Sequence, residues 1–194
     1  MVRPIKRFLS LGIILMMLPG TSCRKHYTPK PRGYLSIEFP KKDYVLFDST
    51  CPFTFEYPVY AKIVPDTDKN SEPCWINIEF PSFDGKIHIT YKEVKGNLDQ
   101  YIEDSRSLVY KHTVRADAIH ETVYSRPPDR VHGILYEIKG NAASNLQFFL
   151  TDSNRHFLRG SLYFFVNPDK DSLAPVITYF KEDITHLMES FEWK

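Results

Sequence analysis

DSLAPVITYFKEDITHLMESFEWK, residues 171–194, decides the fold. Leu173, Val176, Ile177, Phe180, Ile184, Leu187, Met188 and Phe191 recur at i, i+3, i+4 and i+7, the spacing that gathers side chains on one face of an α-helix. Lys181, Glu182, Thr185 and Glu189 fall off that stripe. Asp171 or Ser172 is the expected N-cap, with Pro175 in the first turn, where its missing N–H costs little. A helix with one apolar face has to lie on another apolar surface, and the preceding sequence supplies a sheet.

Period-two alternation, rich in β-branched and aromatic residues, marks strands over Leu35–Phe39, Phe53–Tyr57, Trp75–Phe80 and Ile87–Val94. The pattern returns over Ala118–Tyr124, Val131–Ile138, Leu146–Thr151 and His156–Val166. Asp84-Gly85 signals a hairpin between two of these strands. Arg126-Pro127-Pro128-Asp129, Gly140-Asn141 and Asp152-Ser153-Asn154 carry turn chemistry. A second helix is expected from about Leu98 to Val114. Leu98, Tyr101, Ile102, Ser105, Leu108 and Val109 share one face, and Asn97 with Gln100 has the form of a capping box. Asp99 and Glu103 fall early, and Lys111, His112 and Arg115 late, as the helix dipole favours. The expected fold class is α+β: a mainly antiparallel sheet with a central helix and a C-terminal amphipathic helix. The element order is similar to the α/β/α sandwich of Mog1/PsbP-like domains, and that resemblance speaks to fold alone.

Upstream, Arg3, Lys6 and Arg7 precede an apolar run from Phe8 to Leu18, followed by Pro19, three small residues and Cys23. This is the layout of a secretory signal peptide, too short in its apolar part to cross a bilayer, which takes about 20 residues. Cys23 resembles the acylated cysteine of a bacterial lipobox, although Gly20 stands where a strict lipobox has Leu; an ordinary cleaved signal is the alternative. The organisation that follows is a signal peptide over 1–22, a lipidated cysteine with an extended tether over 23–33, and a single periplasmic α+β domain over 34–194. Pro29 and Pro31 favour an extended course for the tether. Its basic residues Arg24, Lys25, Lys30 and Arg32 suit anionic headgroups, or plain solvent.

With 42% hydrophobic and 14% aromatic residues, the composition is that of a globular chain. The 25 basic and 24 acidic residues give a formal charge of +1. Loss of Arg3, Lys6 and Arg7 with the leader turns the balance slightly acidic, which argues against a nucleic-acid surface. Of three cysteines, Cys51 and Cys74 remain once Cys23 is acylated. An even remainder in an oxidising compartment reads as one disulfide; two buried free thiols are the alternative. Neither cysteine has a second ligand at metal spacing, so no metal or cofactor is expected.

The chain carries none of the catalytic motifs HExxH, GxSxG, P-loop or dinucleotide fingerprint. Asp152, Ser153 and His156 lie close in sequence, but at a hairpin tip, where turn chemistry accounts for them. Asp152 and Glu137 are the carboxylates that a glycan hydrolase would have to use as acid and base. Arg159, inside an aromatic strand, either faces solvent, pairs with an acidic neighbour, or contacts a ligand. Tyr91, Tyr110 and Tyr163 are candidates for an exposed binding face. Asn141-Ala142-Ala143-Ser144 reads as a turn between strands.

Several stretches together resemble one family, the gliding motility lipoprotein GldD of Bacteroidetes. They are Tyr27-Thr28-Pro29-Lys30-Pro31-Arg32-Gly33-Tyr34, Phe55-Glu56-Tyr57-Pro58, Pro73-Cys74-Trp75-Ile76-Asn77-Ile78 and Tyr110-Lys111-His112-Thr113. They continue with Gly140-Asn141-Ala142-Ala143-Ser144, Gln147-Phe148-Phe149-Leu150-Thr151-Asp152-Ser153 and His156-Phe157-Leu158-Arg159-Gly160. The resemblance implies a membrane-anchored envelope lipoprotein serving gliding motility and type IX secretion. It implies no enzymatic activity, and partners among the envelope proteins of that apparatus. Arg24-Lys25-His26 after the cysteine lacks the acidic export signal of surface lipoproteins in this phylum, which implies a domain facing the periplasm. A glycan- or ligand-binding module is the alternative reading, and a cell-wall hydrolase a further one.

Overall fold

The computed structural model describes residues 38–111, 116–165 and 170–194, and these fall within one compact unit. The signal peptide, Cys23, the tether and His112 lie outside the described residues. Ten strands form two sheets. β1 (Tyr44–Asp48), β2 (Phe53–Pro58) and β10 (Glu192–Trp193) make the smaller, ordered β1-β2-β10. The larger has seven strands: β3 (Lys62–Pro65), β4 (Ile76–Phe80), β5 (Gly85–Glu93), β6 (Ala116–Arg126), β7 (Val131–Gly140), β8 (Leu146–Thr151) and β9 (His156–Phe164). Their order is β3-β4-β5-β9-β8-β7-β6, and every pairing is antiparallel. Two helices, α1 (Leu98–Tyr110) and α2 (Lys170–Ser190), complete the α+β architecture.

Strand alternation gives the large sheet two faces. Ile87, Ile89, Phe148, Leu150, Leu158 and Leu162 enter a core with Phe53 and Phe55 of β2 and with Val176, Phe180, Ile184, Leu187 and Met188 of α2. The odd-phase residues Phe149 and Phe157, with Tyr136 and Ile138, meet Val109 of α1 on the opposite face. The C-terminal stripe is therefore buried as its periodicity requires. Arg126 donates from both terminal guanidinium nitrogens to the carbonyls of Glu189 and Phe191, satisfying acceptors that the end of α2 leaves open.

Five expectations change. The strand expected over Leu35–Phe39 is not a strand at Glu38 and Phe39; β1 begins at Tyr44. The residues Asp171 and Ser172 lie inside α2, which already includes Lys170, so Pro175 falls within the helix rather than in its first turn. Asn97 makes no side-chain cap to α1; its Oδ1 accepts from the Lys95 N–H at 2.8 Å, a tight turn that competes with capping. α1 is described from Leu98 to Tyr110, the expected continuation over 112–114 lies outside the described residues, and Leu108 is exposed, off the buried face. The hairpin at Asp84-Gly85 forms with Phe80 opposite Gly85, through a 3-10 turn over Pro81–Phe83, and Asp84 rather than the glycine takes the left-handed conformation, at φ 48°.

Cys51 and Cys74 form a disulfide with Cα atoms 5.6 Å apart, closing a loop across a sequence separation of 23. The bridge links the turn before β2 to the turn before β4, and so joins the two sheets covalently.

Candidate functional site

The face of the large sheet that carries α1 also carries a row of polar side chains. Asn77 of β4 stands opposite His88 of β5, His88 opposite Ser161 of β9, and Ser161 opposite Gln147 of β8. The row continues through Tyr136 of β7 to Glu121 of β6. Asn77, Ser161, Gln147 and Tyr136 are buried. His88 Nδ1 lies 3.0 Å from Asn77 Oδ1. Burial, aided by the charges of Lys86 and Arg159, holds the His88 ring below its ordinary value against the pull of Asp66.

Arg159 sits one inward position from Ser161 on β9. Its Nη2 donates to Gln147 Oε1 at 2.5 Å, and the Tyr163 phenol is near enough to favour its charge. Gln147 is the cross-strand partner of Ser161, so the arginine side chain leans along β9 toward Ser161. The residue is half-buried, and burial lowers its pKa from the ordinary value. It thus neither extends freely into solvent nor pairs with an acid: among the described residues its partners are neutral. A cleft of about 250 Å³ adjoins Tyr163, lined by Lys86, Ala142, Ala143, Phe165 and Leu173.

A second cluster lies where the chain arriving from the tether region meets α2. Lys42 Nζ is 2.7 Å from Asp183 Oδ1 and donates to the Tyr179 carbonyl at 2.8 Å. Tyr44 donates to Asp183 Oδ1 at 3.0 Å, and Tyr60 donates to Oδ2. The Asp183 side chain is 1% exposed, so these donors replace its water. Burial pushes both tyrosine hydroxyls well above their ordinary range, with Asp183 adding to the effect. Tyr44 also stacks on His186, with ring centroids 3.7 Å apart, and Tyr179 donates to the Pro40 carbonyl at 2.8 Å.

The residues with catalytic potential are committed elsewhere. Asp152 Oδ1 accepts the backbone N–H groups of Asn154, Arg155 and His156 at 3.0, 2.7 and 2.8 Å. Burial opposes its charge, but these donors outweigh it and hold the carboxyl below the usual range. His156 Nδ1 lies 2.7 Å from the Tyr91 hydroxyl, and its ring stacks on Trp193. Glu137 pairs with Lys181 at 2.8 Å. Glu137 stands opposite Leu146, at one end of β8, and Asp152 follows the other end. Six residues of strand separate them by roughly 20 Å, more than the roughly 5–10 Å between the carboxyl groups of a glycosidase pair. Of the three tyrosines, Tyr91 packs against the main core and Tyr163 is half-buried, while Tyr110 is exposed and donates to Glu121 at 2.8 Å. The segment Asn141–Ser144 is a turn that buries Ala142 and Ser144.

Sequence reading singled out Arg159 but missed His88, Asn77, Gln147, Ser161, Lys42 and Asp183. A signal exists for three of the six: Asn77 and His88 each stand between two isoleucines, and Asp183 falls between Phe180 and Ile184 on the apolar stripe of α2.

Among the described residues no helix is long and apolar enough to cross a membrane, and no group of side chains is arranged to hold a metal ion. No curated protein matches the chain. The solution structure of cyanobacterial PsbP from Synechocystis sp. PCC 6803 is similar over 80% of this chain and 95% of that one, with a TM-score of 0.47 and 12% identity. The model of the gliding motility lipoprotein GldD matches residues 24–193, and the chain belongs to that family of envelope lipoproteins.

Proposed function

We propose that this protein is a non-enzymatic accessory or assembly factor of the gliding motility and type IX secretion machinery. It is anchored by lipid on Cys23, and its domain faces the periplasm. The observation that carries this reading is the extent of the family match, which starts one residue after Cys23 and runs to residue 193. Acylation places the domain at a membrane surface. The Lys42–Asp183 cluster supports the same reading: it fastens the start of the described chain to the longest described helix through a buried ion pair and ring contacts. The domain then acts by holding envelope proteins through its surface.

Replacement of the gene by a Cys23→Ser allele tests this. The variant should leave the membrane fraction and reproduce the deletion phenotype in motility and secretion. A soluble Cys23→Ser protein that supports both at wild-type levels contradicts the reading.

A further inference from the structure

We propose that Arg159 is the charge-recognising residue of a binding site for a small carboxylate with an apolar body, formed on the α1-bearing face of the large sheet beside Tyr163. The proposal goes beyond the assembly role and stands independently of it. Three observations carry it.

The first is charge without counter-charge. Arg159 is half-buried and hydrogen-bonded to Gln147 Oε1, and among the described residues no carboxylate lies within ion-pair distance of it. Buried charges in folded proteins are paired, and a guanidinium offers five donors in a planar fork matched to a carboxylate. The donors not used on Gln147 are available for such a partner.

The second is an orphaned polar group in the same place. Ser161 is 0% exposed, and its Oγ has no hydrogen-bond partner, although it stands directly across from both Gln147 and His88. An apolar residue there would satisfy packing without that cost. A hydroxyl beneath a guanidinium is what a second acceptor or donor for a bound head group requires.

The third is room for the rest of the ligand. Tyr163, four residues beyond Arg159 on the same face of β9, lines an adjoining cleft of about 250 Å³, whose wall also includes Ala142, Ala143, Phe165 and Leu173. Lys86, opposite Tyr163 in register, adds one positive charge at the rim, with its Nζ 5.7 Å from the Phe165 ring centroid. Lys86 stands opposite Tyr163 and not opposite Ser161, so the head-group position itself holds one guanidinium, a neutral amide and a hydroxyl, which suits a monoanion better than a phosphate of nearly two charges.

The test uses the full chain in a neutral detergent and follows thermal unfolding with increasing sodium hexanoate, against sodium chloride at matched ionic strength and against hexanol. Wild type should show a saturable rise in melting temperature with hexanoate that neither control reproduces. Arg159→Met should lose that rise; its melting temperature without ligand should fall, because the buried Gln147 amide oxygen loses its donor. An arginine with only that structural role gives the same lower baseline and an unchanged response to hexanoate. If Arg159→Met does not fold, Arg159→Lys decides: it keeps the charge but not the fork, and its hexanoate affinity should fall at least tenfold. No rise in wild type, an equal rise in the Arg159 variants, or an Arg159-dependent response to phosphate but not to hexanoate each overturns the proposal.

Discussion

Lys42 reaches across 141 residues of sequence to place its ammonium 2.7 Å from the Asp183 carboxylate on α2. Asp183 is the acidic break in an otherwise apolar stripe, and Lys42, Tyr44 and Tyr60 close around it. Truncating one partner leaves a buried carboxylate with less compensation. Lys42→Met should therefore cost about 1.5–3 kcal/mol, the range for a hydrogen bond to a charged group. A double-mutant cycle with Asp183→Asn, read by urea unfolding, should give coupling of similar size. Additive single effects would show that the contact is solvated and idle.

The disulfide ties the turn before β2 to the turn before β4. Closing a loop of this length stabilises by about 3 kcal/mol on the chain-entropy model. The double substitution Cys51→Ala, Cys74→Ala should lower the unfolding free energy by about that much with the same folded spectrum. An unchanged unfolding midpoint under reducing and oxidising conditions would count against the bridge.

Close approach of β7 and β8 depends on Gly133. A Cβ built there comes 1.9 Å from the Phe149 carbonyl oxygen, a backbone atom that can yield only by moving β8. Gly133→Ala should destabilise by about 3 kcal/mol or more, the upper end for overpacking. Near wild-type melting of this variant would mean that the strands lie further apart than described.

Two histidines set a pH response. Burial holds both His88 and His156 below their ordinary value of 6.5. The unfolded chain then takes up protons before the folded one as pH falls. Stability is complete above 6.5 and declines as pH drops from there toward the folded values. Unfolding free energy should fall between pH 7.5 and pH 5, and the variant carrying His88→Gln and His156→Gln should show a flatter profile. Equal slopes in the two proteins would remove the histidines as the cause.

The two amphipathic elements and most strands were legible because burial on one face leaves a period, and periods survive in a single sequence. β1, β3 and β10 left no such trace. β1 is half-exposed with adjacent apolar residues in Val45, Leu46 and Phe47, while β3 and β10 have four and two residues. Their pairing is set by partners far away in sequence. Arg159 was visible as a charge among aromatics, yet its partner Gln147 was not, because their meeting depends on the register of β8 against β9. The same holds for Lys42 and Asp183, which no local rule connects. Pro175 misled on the start of α2: proline marks where a helix can begin, and here the first turn extends at least to Lys170.

The most direct test of the central claim is a crosslinking pull-down from native membranes, run in parallel with wild type and Cys23→Ser. A lipid-anchored assembly factor predicts recovery of motility or secretion components with wild type and their loss with the variant. Recovery of peptidoglycan fragments and no protein partner from wild type would contradict it.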